Sequence, residues 1–125
     1  MSAMMDVLKA LQAANASRDK EAVLALLTPD VEYHYHVGSR PLIGKEWVAK
    51  FLDRYWSSTA DPLWRIDNHA ENGDKLLVEG YDEYLDTQTG TRVSNPYMGI
   101  LEFRGGKIAR WRDYFQLQVT APRSG

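Results

Sequence analysis

Lys107-Ile108-Ala109-Arg110-Trp111-Arg112-Asp113-Tyr114-Phe115-Gln116-Leu117 is the stretch that decides how this chain is read. It alternates as a strand. One face carries Ala109, Trp111, Asp113, Phe115, Leu117 and Val119; the other carries Ile108, Arg110, Arg112, Tyr114, Gln116 and Gln118. The first face is apolar except for Asp113. Burying a carboxylate is costly unless it is neutralised or well hydrogen-bonded. Packing alone gives no reason for an acid there, so Asp113 is the first candidate functional residue. A buried arginine partner, or a position at the wet rim of the sheet, is the bland alternative.

The strand at 75–86 repeats the pattern. Leu76, Val78, Gly80, Asp82 and Tyr84 share one face, and Leu77, Glu79, Tyr81, Glu83 and Leu85 share the other. Asp82 therefore also falls on a face that begins apolar. If both apolar faces look into one dry pocket, the two acids cannot both ionise easily. One pKa rises, and the pair offers a proton donor beside a proton acceptor. Arg110 and Arg112 point away from Asp113 and are expected to meet Glu79 and Glu83 across the sheet.

Around these strands the chain reads in order as helix, helix, strand, helix, then a four-strand meander. Met4, Val7, Leu8, Leu11 and Ala14 make one helical stripe over 4–16. Ser17 or Asp19 caps a second helix holding Ala22, Val23, Leu24, Leu26 and Leu27, which Thr28-Pro29-Asp30 ends. Val31–Val37 alternates as a strand, with Val31, Tyr33 and Tyr35 on one side and Glu32, His34 and His36 on the other. A third helix over 45–57 buries Trp47, Val48, Phe51, Leu52 and Tyr55, and 57–62 reads as a loop. Strands follow at about 63–71, 75–86, 92–103 and 107–119, joined by glycine-bearing turns. Residues 120–125 read as a disordered tail. The expected architecture is α+β: a strongly bent antiparallel sheet forming a cone, with three helices packed on its concave face around a pocket. No internal repeat or linker interrupts it, so residues 1–125 form one domain.

Composition narrows the function. Hydrophobic residues make up 44% and charged residues 26%, with a net charge of −2. No basic field exists to gather nucleic acid or an anionic membrane surface. The chain has no cysteine, which excludes disulfides and thiolate metal sites. No apolar run reaches the roughly 18 residues of a membrane span, and the first residues lack a signal-peptide pattern. A cytoplasmic location is the default expectation. His34 and His36 are two apart on one strand face, a spacing that metal ligands sometimes use, but the third histidine, His69, has no evident place beside them. No metal is expected.

Tyr33 and Tyr35, facing inward with Val31, are candidates to orient a substrate or a water; satisfied core tyrosines are the competing explanation. Tyr97, Tyr84, Trp111 and Phe51 are further candidate wall residues.

The element order, together with Gly-Lys-Ile-x-x-Trp-Arg-Asp-Tyr-Phe at 106–115, resembles the nuclear transport factor 2-like superfamily, in particular its SnoaL-like and limonene epoxide hydrolase branch. His36-Val37-Gly38-Ser39, followed by Pro41 and Gly44, is also similar to a segment of ketosteroid isomerases. The resemblance implies that Asp113 stands for an essential aspartate of limonene epoxide hydrolase and Asp82 for its second aspartate. Tyr33 would stand for the tyrosine that helps hold the attacking water. Two positions depart. The arginine that bridges the two acids is Gly80 here, and the water-binding asparagine is Tyr35. Arg65 or His69 would have to supply the missing cation from the neighbouring strand. The two ketosteroid isomerase acids fall near Tyr35 and Gly99, which argues against that chemistry.

The resemblance implies a cofactor-free acid/base enzyme acting on a small apolar organic molecule, by epoxide opening, cyclisation or isomerisation. It also implies a homodimer through the outer sheet face. A non-catalytic ligand-binding or dimerisation module on the same fold is the alternative.

Overall fold

A computed structural model describes residues 2–115. The expectations for Gln116–Val119 and for the tail at 120–125 fall outside them.

Helix α1 spans Ala3–Ser17. Ser2 caps it by accepting a hydrogen bond from the Met5 N–H at 3.1 Å, and Leu8, Leu11 and Ala14 are buried along its inner stripe. Asp19 caps α2, Lys20–Ala25, through the Ala22 N–H. This second helix is shorter than expected. Leu27 already belongs to strand β1, Leu27–His34, and the Ile108 N–H donates to the Leu26 carbonyl at 2.9 Å. Pro29 is tolerated inside β1 because the pairing with the neighbouring strand skips from Leu27 to Glu32, so no ladder bond requires its missing N–H. Tyr35 follows the strand instead of lying in it.

Strand β2 is the short Leu42–Ile43, and helix α3 is Lys45–Ser57. Val48 and Leu52 are buried, with Phe51 and Tyr55 half-buried beside them. Trp47, expected on the buried side, is 54% exposed. It flanks the inner stripe on the solvent side, with the Lys50 ammonium 4.5 Å above its ring.

Strands β3 (Thr59–Asn72), β4 (Lys75–Asp86), β5 (Thr91–Arg104) and β6 (Lys107–Phe115) form the meander. The segment expected as a loop at 57–62 is largely strand. Asp61 and Pro62 read as loop because the β3–β4 pairing slips between Ala60 and Leu63, where β3 carries one extra residue and Asp61 has a φ of 48°.

The sheet order is β2-β1-β6-β5-β4-β3. The meander is antiparallel as expected, but β1 runs parallel to β6. Bulges bend the sheet: two in β3, near Asp61 and Asp67, and one in β6 at Ala109. The last overturns strict alternation in the 107–117 stretch. Glu102 pairs with Arg110 and Phe103 with Ile108, so Ile108 joins the buried face and is fully enclosed. Leu8, Leu11, Leu27, Val31, Val48, Leu76, Val78, Leu101 and Ile108 make the core between helices and sheet. Leu11, Val23 and Leu52 of the core also line a cavity.

Candidate active site

The cavity has a volume of about 220 Å³. That is below the roughly 300–1,000 Å³ of drug-sized ligand sites. All eight residues singled out from the sequence line it: Asp113, Asp82, Tyr33, Tyr35, Tyr97, Trp111, Tyr84 and Phe51.

Asp113 and Trp111 come from β6, and the register sets Trp111 beside Tyr33 of β1. Their rings stack at 4.1 Å. The Tyr33 hydroxyl donates to Asp113 Oδ2 at 3.1 Å, and Trp111 Nε1–H donates to Asp113 Oδ1 at 3.0 Å. Both carboxyl oxygens are therefore held by donors. Burial nevertheless pushes the Asp113 carboxyl up to about 7; the two hydrogen bonds pull it down, and the nearby Asp82 charge pushes it up further. Burial likewise raises Asp82 to about 6. Tyr33 is held well above the ordinary tyrosine value, first by burial and then by Asp113, so it remains a donor across the accessible pH range.

The far wall is aromatic. Phe51 of α3 meets Tyr33 edge-on at 5.3 Å, packs on Tyr35 at 5.1 Å and stacks on Tyr55 at 5.9 Å. Tyr84 meets Tyr55 edge-on at 5.7 Å. Trp64 Nε1–H donates to the Tyr97 hydroxyl, and the Trp64 ring lies parallel to Trp111 at 6.2 Å.

Neither proposed substitute for the missing arginine serves the acids. Arg65 is exposed and pairs with Asp67 at 2.8 Å; His69 is exposed on β3. No lysine, arginine or histidine lines the cavity among the described residues. Gly80 has a structural reason to be glycine: a Cβ there would lie 1.8 Å from the Arg65 carbonyl oxygen, because the bulge at Asp67 presses β3 onto β4. Arg112 and Arg110 do not meet Glu79 and Glu83. Arg112 pairs with Glu102 at 2.7 Å, and Arg110 with Glu32 at 3.3 Å. Glu79 accepts from Asn68, and Glu83 pairs with Arg92. His34 is hydrogen-bonded to Glu32 at 3.2 Å while His36 packs against Phe115 at 5.0 Å, so the two histidines are engaged separately.

Sequence reasoning missed Asn15, Tyr55, Trp64 and Asn95 as cavity residues. Asn95 carried the same signal as Asp113. It shares a β5 face with Tyr97, Gly99, Leu101 and Phe103, all buried, and is itself a polar side chain on that face.

Residues 7–111 match the family model of the SnoaL-like domain. The chain belongs to the SnoaL-like family. Its fold is that of nuclear transport factor 2 and ketosteroid isomerase, as the solved structures similar to this SnoaL-like chain show. An LEH-like epoxide hydrolase of M. tuberculosis is 26% identical, with a TM-score of 0.80 over 92% of this chain and 84% of its own. A protein of Shewanella putrefaciens CN-32 assigned as a SnoaL-like polyketide cyclase is 15% identical, with a TM-score of 0.84 over 97% of this chain and 95% of its own. TerC, co-crystallised with polyporic acid, is 24% identical, with a TM-score of 0.80 over 92% of both chains. No protein of curated function matches the sequence of this SnoaL-like chain. No helix among the described residues is long and apolar enough to cross a membrane.

Proposed function

We propose that this SnoaL-like chain is a cofactor-free acid/base enzyme that acts on a small, largely apolar organic molecule, with Asp113 and Asp82 as the catalytic pair. The observation that carries this is the unequal solvation of two acids in one aromatic cavity. Asp113 receives hydrogen bonds on both oxygens, an arrangement suited to a carboxylate. Asp82 has burial as the cause of its raised pKa and no such donors among the described residues to offset it. With no cation beside them among the described residues, the pair holds a proton near neutrality; burial favours it on Asp113, about 7 against about 6 for Asp82, but the donors that meet both Asp113 oxygens fit its carboxylate, so the reactive form is the one with the proton on Asp82.

Epoxide opening is the reaction to test first, supported by the M. tuberculosis relative. The Asp113 carboxylate takes a proton from a water whose position Tyr33 helps set. The water oxygen bonds to an epoxide carbon as the carbon–oxygen bond of the ring breaks. Asp82 gives its proton to the released oxygen, and a diol results. Proton return from Asp113 to Asp82 through solvent restores the reactive form. Cyclisation and double-bond isomerisation draw on the same pair. Tyr35, Tyr97, Trp111, Tyr84 and Phe51 bind the apolar body of the substrate.

The test is diol formation from small alicyclic epoxides by the wild type, Asp113→Asn and Asp82→Asn. Each variant should lose roughly 10²–10⁴-fold. An undiminished rate in Asp113→Asn would sink the assignment. Gly80 and Tyr35, in place of the family's arginine and asparagine, favour a second reading: a ligand-binding module whose affinity survives loss of either acid.

The same proposal includes a homodimer through the outer sheet face. Met98 and Tyr114 pair across β5 and β6 and are 53% and 43% exposed, next to Tyr81 and Pro96. Size-exclusion chromatography with light scattering should give twice the chain mass at micromolar concentration; a monomer there contradicts it.

A further inference from the structure

Asp82 is an acid that the fold leaves unanswered. It is half-buried in the cavity wall, and neither carboxyl oxygen receives a hydrogen bond among the described residues. Neither oxygen is sealed in protein, since the sealed side-chain atoms without a partner are Thr28 Oγ1 and Asn95 Oδ1 among the described residues. The carboxyl therefore opens on the cavity and meets whatever enters.

Aromatic rings stand around it. The β3–β4 register sets Asp82 directly opposite Trp64, and such pairs place their Cβ atoms about 5 Å apart on one sheet face. Tyr84 follows two residues along the same face of β4. Tyr55 meets Tyr84 edge-on at 5.7 Å; burial, and then the charge of Asp82, raises both hydroxyls. Nine of the sixteen described residues lining the cavity are aromatic, so a guest meets ring surface wherever it sits.

Electrostatics fixes the sign of the guest. The cavity holds two acids, and no lysine, arginine or histidine lines it among the described residues. The ring faces add negative potential. An anion meets repulsion, a neutral molecule leaves the acids uncompensated, and a cation gains from acid and rings together. Groups of three metal-ligating side chains are absent among the described residues, so an organic cation suits the site better than a metal ion. The volume of about 220 Å³ is roughly seven waters' share of liquid, which limits that cation to a short one.

We propose that the cavity binds small organic ammonium ions, with Asp82 meeting the positive charge and the rings of Trp64, Tyr55 and Tyr84 packing on the alkyl groups around it. This is a second activity of the same cavity. It uses Asp82 without its proton, whereas the catalytic reading uses Asp82 with it, and it does not depend on turnover.

The pH dependence follows from the groups that face Asp82. These are Asp113 of β6 and Tyr33, Tyr55, Tyr84 and Tyr97 of β1, α3, β4 and β5. Burial raises all four tyrosines, so the two acids alone titrate between pH 5 and pH 8, at about 6 and about 7. Arg18, whose charge reaches Tyr55, lies outside the cavity wall and is held on the Trp56 and Thr59 carbonyls. An ammonium ion needs an ionised acid, so its affinity should rise with pH through about 6.

The test compares choline, which is charged at every pH, with 3,3-dimethylbutan-1-ol, its neutral isostere. Calorimetry gives the affinities, and the NMR signals of the Trp64 and Trp111 indoles report binding in the cavity. At pH 8 the wild type should prefer choline by roughly tenfold or more, with both indole signals moving. At pH 5 choline should bind roughly tenfold more weakly than at pH 8, and the alcohol should not. Asp82→Asn should cut the preference at pH 8 by at least about threefold, Asp113 keeping the rest. Equal binding of the two probes by the wild type at pH 8 overturns the proposal, even if Asp82→Asn fails to fold. So does a preference undiminished in Asp82→Asn, or one that leaves the indole signals unmoved. Preference for choline without hydrolysis of any epoxide removes the catalytic reading and supports the ammonium site. Epoxide hydrolysis without preference for choline keeps the catalytic reading and overturns that site.

Discussion

The Tyr33 hydroxyl donates to Asp113 Oδ2 at 3.1 Å, joining β1 to β6 across their parallel pairing. That bond opposes the effect of burial on the acid. With the Trp111 N–H, it favours the carboxylate where burial favours the neutral form.

Tyr33→Phe should therefore move Asp113 further up. A hydrogen bond to a charged group contributes about 1.5–3 kcal/mol, which corresponds to roughly one to two pKa units. A base with a higher pKa is ionised only at higher pH. The acidic limb of the pH–rate profile should shift upward, with a lower maximum. An unmoved limb in Tyr33→Phe would show that the hydroxyl does not act through Asp113.

Stability should fall as pH rises through the acid range. Aspartate in the unfolded chain titrates near 3.9, whereas Asp113 and Asp82 are raised to about 7 and about 6 in the fold. Below about pH 4 both states hold the proton and there is no penalty. Between about pH 4 and pH 7 the unfolded chain releases protons that the native state keeps, so native stability drops; above that window it levels off. Asp113→Asn removes the larger part of this dependence. Thermal melts should show the variant more stable than wild type at pH 8, by up to a few kcal/mol less one lost hydrogen bond, and not at pH 4. A variant less stable than wild type at pH 8 would contradict the cost assigned to ionised Asp113.

Restoring the family's arginine should fail for a steric reason. Any side chain at Gly80 drives its Cβ into the Arg65 backbone oxygen, so the strands must separate. Gly80→Ala should cost more than about 2 kcal/mol, and Gly80→Arg should not raise activity. Denaturant unfolding of Gly80→Ala within about 0.5 kcal/mol of wild type would show that β3 yields easily.

Gly99→Val should impair the acid more than it loosens the fold. A Cβ at Gly99 lies 3.4 Å from Asp113 Oδ1 and 3.3 Å from the Tyr97 ring. Branched methyls would crowd both, so turnover should fall more than the melting temperature does. Full activity in this variant would place the reacting atoms away from Asp113.

Local pattern made Asp113 and Asp82 legible, since two-residue alternation reports which face a strand buries. It also marked the three helices and the meander. What failed was non-local. The parallel β1–β6 pairing draws Leu27 out of the second helix and into a strand, and no periodicity within 20–30 announces it. The bulge at Ala109 places Ile108 inside, because register depends on the partner strand as well as on the chain's own alternation. Arg112 found Glu102 on the adjacent strand β5, where strand order was needed to name the partner. Asn95 was readable by the logic that found Asp113, but an asparagine is less conspicuous on an apolar face than an acid. Trp64 was hidden because most of β3 is exposed and its alternation is weak.

The central claim is that Asp113 and Asp82 share one dry pocket. An NMR titration of both side-chain carboxyls, in wild type and in each Asp→Asn variant, tests it most directly. Both should titrate well above 3.9, and the Asp113 midpoint should fall in Asp82→Asn while staying raised, because burial remains. Two carboxyls titrating independently near 3.9 would contradict it.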